Sequence, residues 1–444
     1  MNRITAILAV FALLGSSQCS LAADASLDEA RNVLQADMAA IHAAGEPTTV
    51  DDLKQPAVPD TANGVLEIRS AYDSIDTSTA AYNRFTRIDP LDPLNPDTLQ
   101  TLREVTAENA TALDLVGAAL AKGEFDWQFK LASPLITVPL PDLAKLRGVA
   151  IVVRASAVAA HHEDNDDLAL QRIGQLLGLS RTADQSQILI SHLVALGIGR
   201  HATDAADQIA PTLKAPTTSP ARKRALELAA ALLDDKSIQQ KLRLALMTER
   251  VNVFDLAFAI AEDRISAADL DQIINPSQAP RPQPNLDPSI VKRIALEDAH
   301  QLLPYYHDLI AAASAPDWPM LRSKLPNPPV AAPDRYFRSA AMLSADKIFE
   351  AQYRHIAGRR LAAIALGTRC FALDNGGKLP RKIGDLAPKY LSSIPTDPFT
   401  AGKPMNYDPD QGILYSVGPD GKDDGGKESG APRPQPDIVV RLRP

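Results

Sequence analysis

Apolar residues recur at steps of three and four through most of this chain, a period that commits it to amphipathic helices. Over residues 142–160, Leu143, Leu146, Ala150, Val153 and Ala157 fall on one helical face. A polar break, His161-His162-Glu163-Asp164-Asn165-Asp166-Asp167, precedes a second stripe through Ala169, Ile173, Leu176 and Leu177. A third runs through Leu189, Leu193 and Leu196. Stripes joined by short polar turns predict antiparallel helical hairpins. Segments 26–44, 62–85, 97–122, 219–233, 237–248, 251–261 and 266–274 extend the pattern.

Proline sets the boundaries. Pro276, Pro280, Pro282, Pro284 and Pro288 are too crowded for helix or sheet, so 275–335 reads as a Pro-rich connector with a short helical segment. A long helix over 336–373 follows, with Phe349, Tyr353, Ile356, Ile364 and Phe371 along one side, and stops at Asp374-Asn375-Gly376-Gly377. A helical patch over 382–390 leads to strands at 404–407, 412–417 and 438–442. The expected fold class is mostly α: an irregular α-hairpin array over 24–274, then, over 336–444, a long helix packed on a small C-terminal antiparallel β-sheet. The helical middle loosely resembles tetratricopeptide-type arrays, without a strict repeat period or their consensus.

Residues 1–23 read as a signal peptide, with Arg3, an apolar run from Ile4 to Leu14 and small residues up to Ala22 and Ala23. Cleavage near either alanine predicts export to a periplasmic or extracellular location, with no integral membrane span after it. A spanning helix needs about 20 apolar residues, more than this run supplies. Losing Arg3 takes the formal charge from −8 to −9, which argues against nucleic acid as a partner. Of two cysteines, Cys19 leaves with the leader, and Cys370 reads as a small buried hydrophobe.

Chemistry concentrates between the last two strands, in Ser416-Val417-Gly418-Pro419-Asp420-Gly421-Lys422-Asp423-Asp424-Gly425-Gly426, with Asp437 entering the final strand. Carboxylates on a glycine-permitted loop supply the oxygens calcium requires, and Asp and Gly equally favour a plain turn. The missing terminal carboxylate and the flanking strands argue against an EF-hand. With Asp420 as its first position, Lys422 falls at the third and Ala431 at the twelfth.

The ordered set Leu373-Asp374-Asn375-Gly376, Tyr390-Leu391, Ile394-Pro395, Asp397-Pro398, Tyr407, Tyr415 to Gly421, Gly425-Gly426 and Asp437-Ile438 resembles the C-terminal domain of the type II secretion major pseudopilin, the protein G family. The resemblance covers roughly the last fifth of the chain. It implies a structural Ca2+ bound by this loop, with Ser416, Asp420, Asp424 and Asp437 as contributors. The prepilin cleavage motif and polymerising helix of that family are absent from the expected mature N-terminus, and residues 427–436 insert into the loop.

Elsewhere the His161–Asp167 run reads as a solvated interhelix turn, or as a metal pair of His162 and Asp166. His300 and His307 sit on a helix that Pro304 is expected to interrupt, as packed or capping histidines. Gly197-x-Gly199 reads as close helix packing. Nucleophile elbows, His-Glu-x-x-His helices and phosphate loops are missing. The expected function is an exported, non-enzymatic helical scaffold that binds a protein partner through its helical domain and carries a calcium-stabilised end. The alternatives are an accessory part of a type II secretion-like machine and an exported hydrolase without a recognisable motif.

Overall fold

The computed structural model describes residues 20–88, 94–139, 143–274, 287–329, 337, 344–427 and 437–443. The expected leader up to residue 19, the connector residues 275–286 and the loop insertion from 428 to 436 lie outside these residues.

Helices follow the stripes. The first half holds α1 (Ser20–Ala43), α2 (Val65–Asp73), α3 (Ala80–Phe85), α4 (Pro96–Glu108), α5 (Ala110–Lys122), α6 (Leu143–His162), α7 (Asp166–Ala183) and α8 (Leu189–Ile209). The second holds α9 (Pro220–Leu233), α10 (Lys236–Ala261), α11 (Ala267–Ile274), α12 (Pro288–Ala312), α13 (Trp318–Lys324) and α14 (Ala345–Asp374). Strands β1 (Asn406–Asp408), β2 (Ile413–Ser416) and β3 (Ile438–Arg441) form one antiparallel sheet in that order. The chain is thus mostly helical with a small C-terminal sheet, as its periodicity predicts.

Local chemistry fixes the helix starts. Asn165 Oδ1 accepts the Leu168 N–H at the head of α7, and Ser219 Oγ accepts the Arg222 N–H where Pro220 opens α9. Each such cap contributes about 1 kcal/mol. The expected α6 stripe, Leu143, Leu146, Ala150, Val153 and Ala157, is wholly buried. Helices α6, α7 and α8 pack as neighbours, and α9 joins α7.

Two expectations change. The segment expected as a connector contains α12, which runs through Pro304 and packs between α1 and α10. Pro304 lies on the exposed face, where water can satisfy the carbonyl its missing N–H leaves open, so the helix tolerates it. The apolar side of α12 carries Leu296, Ala299, Leu302, Tyr306 and Leu309, all buried. The patch expected as helix over 382–390 is only a 3-10 turn, Ile383–Leu386.

Helix α14 is buried on more than the single side its stripe predicts. Leu361 through Leu366 are all buried, because α8 and α9 cover one flank and the sheet another. A helix enclosed from several directions needs apolar residues around its circumference. Gly199 of α8 shows how close this joint is. A Cβ there would lie 2.3 Å from Cε1 of His355 on α14, which explains that glycine by packing. In the sheet, β2 is central and buried, with Leu414 opposite both Tyr407 and Val440.

Burial pushes the Glu249 carboxyl on α10 up to about 7, against the pull of the hydrogen bond from the Leu189 N–H. The unfolded carboxyl ionises near 4.5 while the folded one keeps its proton to about 7. Folding therefore loses stability as pH rises between those values. The variant Glu249→Gln is expected to match the parent in urea midpoint at pH 4 and to exceed it by about 2 kcal/mol at pH 8.

Candidate functional site

After β2 the chain turns through Gly418 and Gly421, both at positive φ, and returns to β3 behind Asp437. Of the four expected calcium contributors, Asp424 and Asp437 meet here, while Ser416 turns to Asp397. Ser416 Oγ donates to Asp397 Oδ1 at 2.8 Å, and exposed Asp420 accepts the Lys422 N–H at 3.0 Å. Asp437 accepts the Asp424 N–H at 3.4 Å and the Gly426 N–H at 2.7 Å. Burial, with help from Asp423 and Asp424, pushes the Asp437 carboxyl up, and the two N–H groups pull it down. Among the described residues no three His, Cys, Asp or Glu side chains are grouped to hold a metal.

Asp397 does the gathering. It is fully buried and accepts from Phe399 N–H, Ser416 Oγ–H and Val417 N–H, at 2.8–2.9 Å. Trp318 of α13 donates its indole N–H to the Pro419 carbonyl at 3.0 Å and tethers the loop from outside.

The polar break between α6 and α7 is solvent-exposed from His162 to Asn165, as the solvated-turn reading expects, but its flanks are buried, and Asp166 meets His161, not His162. His161 and Asp166 are both buried, with Nδ1 and Oδ1 2.5 Å apart, and His161 Nε2 lies 2.8 Å from Thr212 Oγ1. The Asn165 cap places Asp166 in the first turn of α7, where the Lys214 N–H also reaches it at 2.6 Å. With Nδ1 assigned as the donor to the carboxylate, Nε2 is assigned as the acceptor of the threonine hydroxyl proton. This order matches an acid–base relay, but a relay needs a substrate cavity and oxyanion donors beside its hydroxyl. No cavity named below borders Thr212, and the nearby Lys214 N–H is taken by Asp166. The network pins the α8–α9 connection to the α6–α7 turn. His300 is likewise structural, 2.6 Å from Asp37 across the α1–α12 contact.

A cavity of about 280 Å3 lies where α3 and α4 cover α6 and α8. Ile151, Arg154, Ala155 and Val158 reach it from one face of α6, at helical spacing. Tyr82, Phe85, Ile88, Leu94 and Leu102 make the opposite wall, while Ile151 stands at the rim, 38 % exposed. His201 and Gln208, two turns apart on α8, close the remaining side. His201 Nδ1 and Gln208 Oε1 are buried without a hydrogen-bond partner, as is Oδ1 of neighbouring Asp207. A buried polar atom left so costs about 1–3 kcal/mol, so the two in the cavity wall, His201 Nδ1 and Gln208 Oε1, mark a place where an incoming group gains hydrogen bonds.

Electrostatics sharpen the polar part of this lining. Burial, then Arg154 and Arg200, hold His201 down to about 4, so the ring is neutral at pH 7. Burial pushes Asp207 well above the usual carboxylate range, and Asp204 adds to it. Burial also raises Asp204, against Arg200 and Arg154. The cavity thus has a largely apolar lining with Arg154, His201 and Gln208 among its polar residues. Sequence reasoning missed it because Arg154 comes from α6 and His201 and Gln208 from α8, helices separated by all of α7. The available signal was His201, Asp204 and Gln208 on one face of α8.

Protein-family models, curated proteins and solved structures give no match to this chain.

Proposed function

We propose that this chain is an exported helical binding protein that takes a small, largely apolar molecule with a polar end into the cavity between α3, α4, α6 and α8. The observation that carries the reading is the pair of unpartnered atoms, His201 Nδ1 and Gln208 Oε1, at the wall of an otherwise apolar space. Functional pockets combine an apolar lining with a few convergent polar groups in this way. The pseudopilin-like end is proposed as a cap on the scaffold. Calcium binding there, the expectation from the resemblance, is proposed through Asp437 and Asp424, whose closeness supports it.

A second reading keeps the protein partner. Leu120, Leu170, Leu177 and Leu228 line an open groove over α5, α7 and α9, flanked by Arg181, Arg224 and Glu227, which favours an amphipathic helix.

N-phenyl-1-naphthylamine, a neutral apolar dye, tests the first reading. Saturable enhancement with one site per chain and roughly micromolar affinity is expected. The variant Ala155→Phe projects a ring into the cavity and is expected to abolish binding while retaining cooperative melting. Absent enhancement, or enhancement indifferent to that ring, contradicts the proposal.

A further inference from the structure

The hexapeptide Ala-Pro-Arg-Pro-Gln-Pro occurs twice in this chain, at 279–284 and at 431–436. Both copies lie outside the described residues. Proline fixes φ and removes an amide donor, so a peptide with proline at alternate positions is disposed to the extended polyproline form, whose carbonyls have no partner within the peptide. Aromatic-lined grooves recognise such peptides because little entropy remains to be lost. We infer that the first copy, 279–284, docks in an aromatic-lined groove of the same chain, between the segments 53–60 and 125–131.

That groove measures about 750 Å3, within the roughly 300–1,000 Å3 of clefts that hold ligand-sized groups. Phe125 and Phe129 line it, both partly exposed, and offer rings for proline to pack on. Gln55 and Gln185 bring side-chain amides that can donate to the free carbonyls of a polyproline peptide. The lining charges cancel, Asp60 and Asp126 against Lys54 and Lys130, but Asp51 already holds Lys54 at 2.6 Å, which tilts the balance toward a cationic partner such as Arg281. Reach selects the first copy. Arg264, three residues before α11, donates to Ser133 Oγ at 2.6 Å, and Ser133 stands two residues beyond Leu131 of the groove wall. Lys292 of α12 pairs with Asp263 at 2.5 Å, so both helices that flank residues 275–286 are tied to the Leu131 side of the groove. A segment of twelve residues held at both ends carries its middle as far as roughly 20 Å, at about 3.3 Å per residue out and back. The second copy lies between β2 and β3, which pack on α14.

The probe is a fluorescein-labelled peptide of that sequence, titrated against the full chain with anisotropy as the readout. A tethered copy competes at roughly millimolar effective concentration, so the combined variant Pro280→Ala, Pro282→Ala and Pro284→Ala is expected to bind the probe at least about tenfold more tightly than the parent. The same changes at Pro432, Pro434 and Pro436 are expected to leave the affinity at the parent value. A probe with alanine in place of its prolines is expected to bind none of these chains. Phe129→Ala, added to the first combined variant, is expected to abolish the gain. Should that protein not fold, Asp60→Lys at an exposed position is expected to reduce the gain severalfold. Equal affinity in the parent and the first combined variant, a gain from the second one instead, or a gain indifferent to the groove substitutions and to the prolines of the probe overturns the inference. Failure of every chain to bind the probe overturns it as well.

Discussion

Replacing Asp397 by alanine is expected to lower the unfolding free energy by about 4 kcal/mol and to release the C-terminal sheet before the helical body. The carboxylate is fully buried and receives three donors, Phe399 N–H, Ser416 Oγ–H and Val417 N–H. Its removal strands all three in a space where each unsatisfied donor costs about 1–3 kcal/mol. Asp397→Asn keeps one acceptor oxygen but turns an amide toward a donor, so about half that loss is expected. Urea denaturation measures the loss, and hydrogen exchange at Leu414 and Tyr415 locates it. Calcium at 2 mM, roughly a saturating extracellular level, is not expected to restore the variant, because a cation cannot replace the acceptor that these three donors lose. A loss below about 1 kcal/mol would remove Asp397 as the organiser of this module.

The second large effect lies where the helical body meets α14. Arg222, almost fully buried, donates to the Ala215 carbonyl at 2.9 Å, the Cys370 carbonyl at 2.7 Å and Asp374 Oδ1 at 2.9 Å. It thereby welds the start of α9 to the end of α14. Arg222→Met is expected to cost about 3–5 kcal/mol, because it leaves a carboxylate and two carbonyls without their shared donor. Asp374 answers with pH. Hydrogen bonds from Lys389 first, then Tyr390 and Thr217, with the Arg222 charge, hold its carboxyl down to about 2, against an ordinary 3.8. Its contribution is complete above the unfolded value and is lost as pH falls from about 4 to 2. In Arg222→Met this acid-side loss is expected to shrink. Urea midpoints at pH 7 and pH 3 check both statements, and a double-mutant cycle with Asp374→Asn isolates the pair.

Much of the fold was legible because helical packing is written locally. The α6 stripe is buried residue for residue, and the strands fall within a residue or two of their expected bounds. Where reading failed, tertiary context outweighed a local rule. Pro304 looked like a helix breaker, but its solvent-facing position let α12 continue. The density of prolines before residue 288 masked the helical stripe that follows it. The sites were less legible for a different reason. Asp397 stands nineteen residues before Ser416, and only the fold of the C-terminal module brings their side chains together. Arg154 and His201 line one cavity because α6 and α8 pack together, a pairing no spacing rule announces. The His161 run showed its residue types correctly and its partners wrongly, since Thr212 lies fifty-one residues away.

Whether the α3–α4–α6–α8 cavity takes up an apolar molecule is answered most directly by a crystal structure grown with 1-bromonaphthalene, in which the bromine reports its own position. The proposed function predicts a bromine peak among Phe85, Leu102 and Val158, with His201 and Gln208 left open to a head group. Ordered waters filling that space and bridging His201 Nδ1 to Gln208, with no bromine beside them, would contradict it.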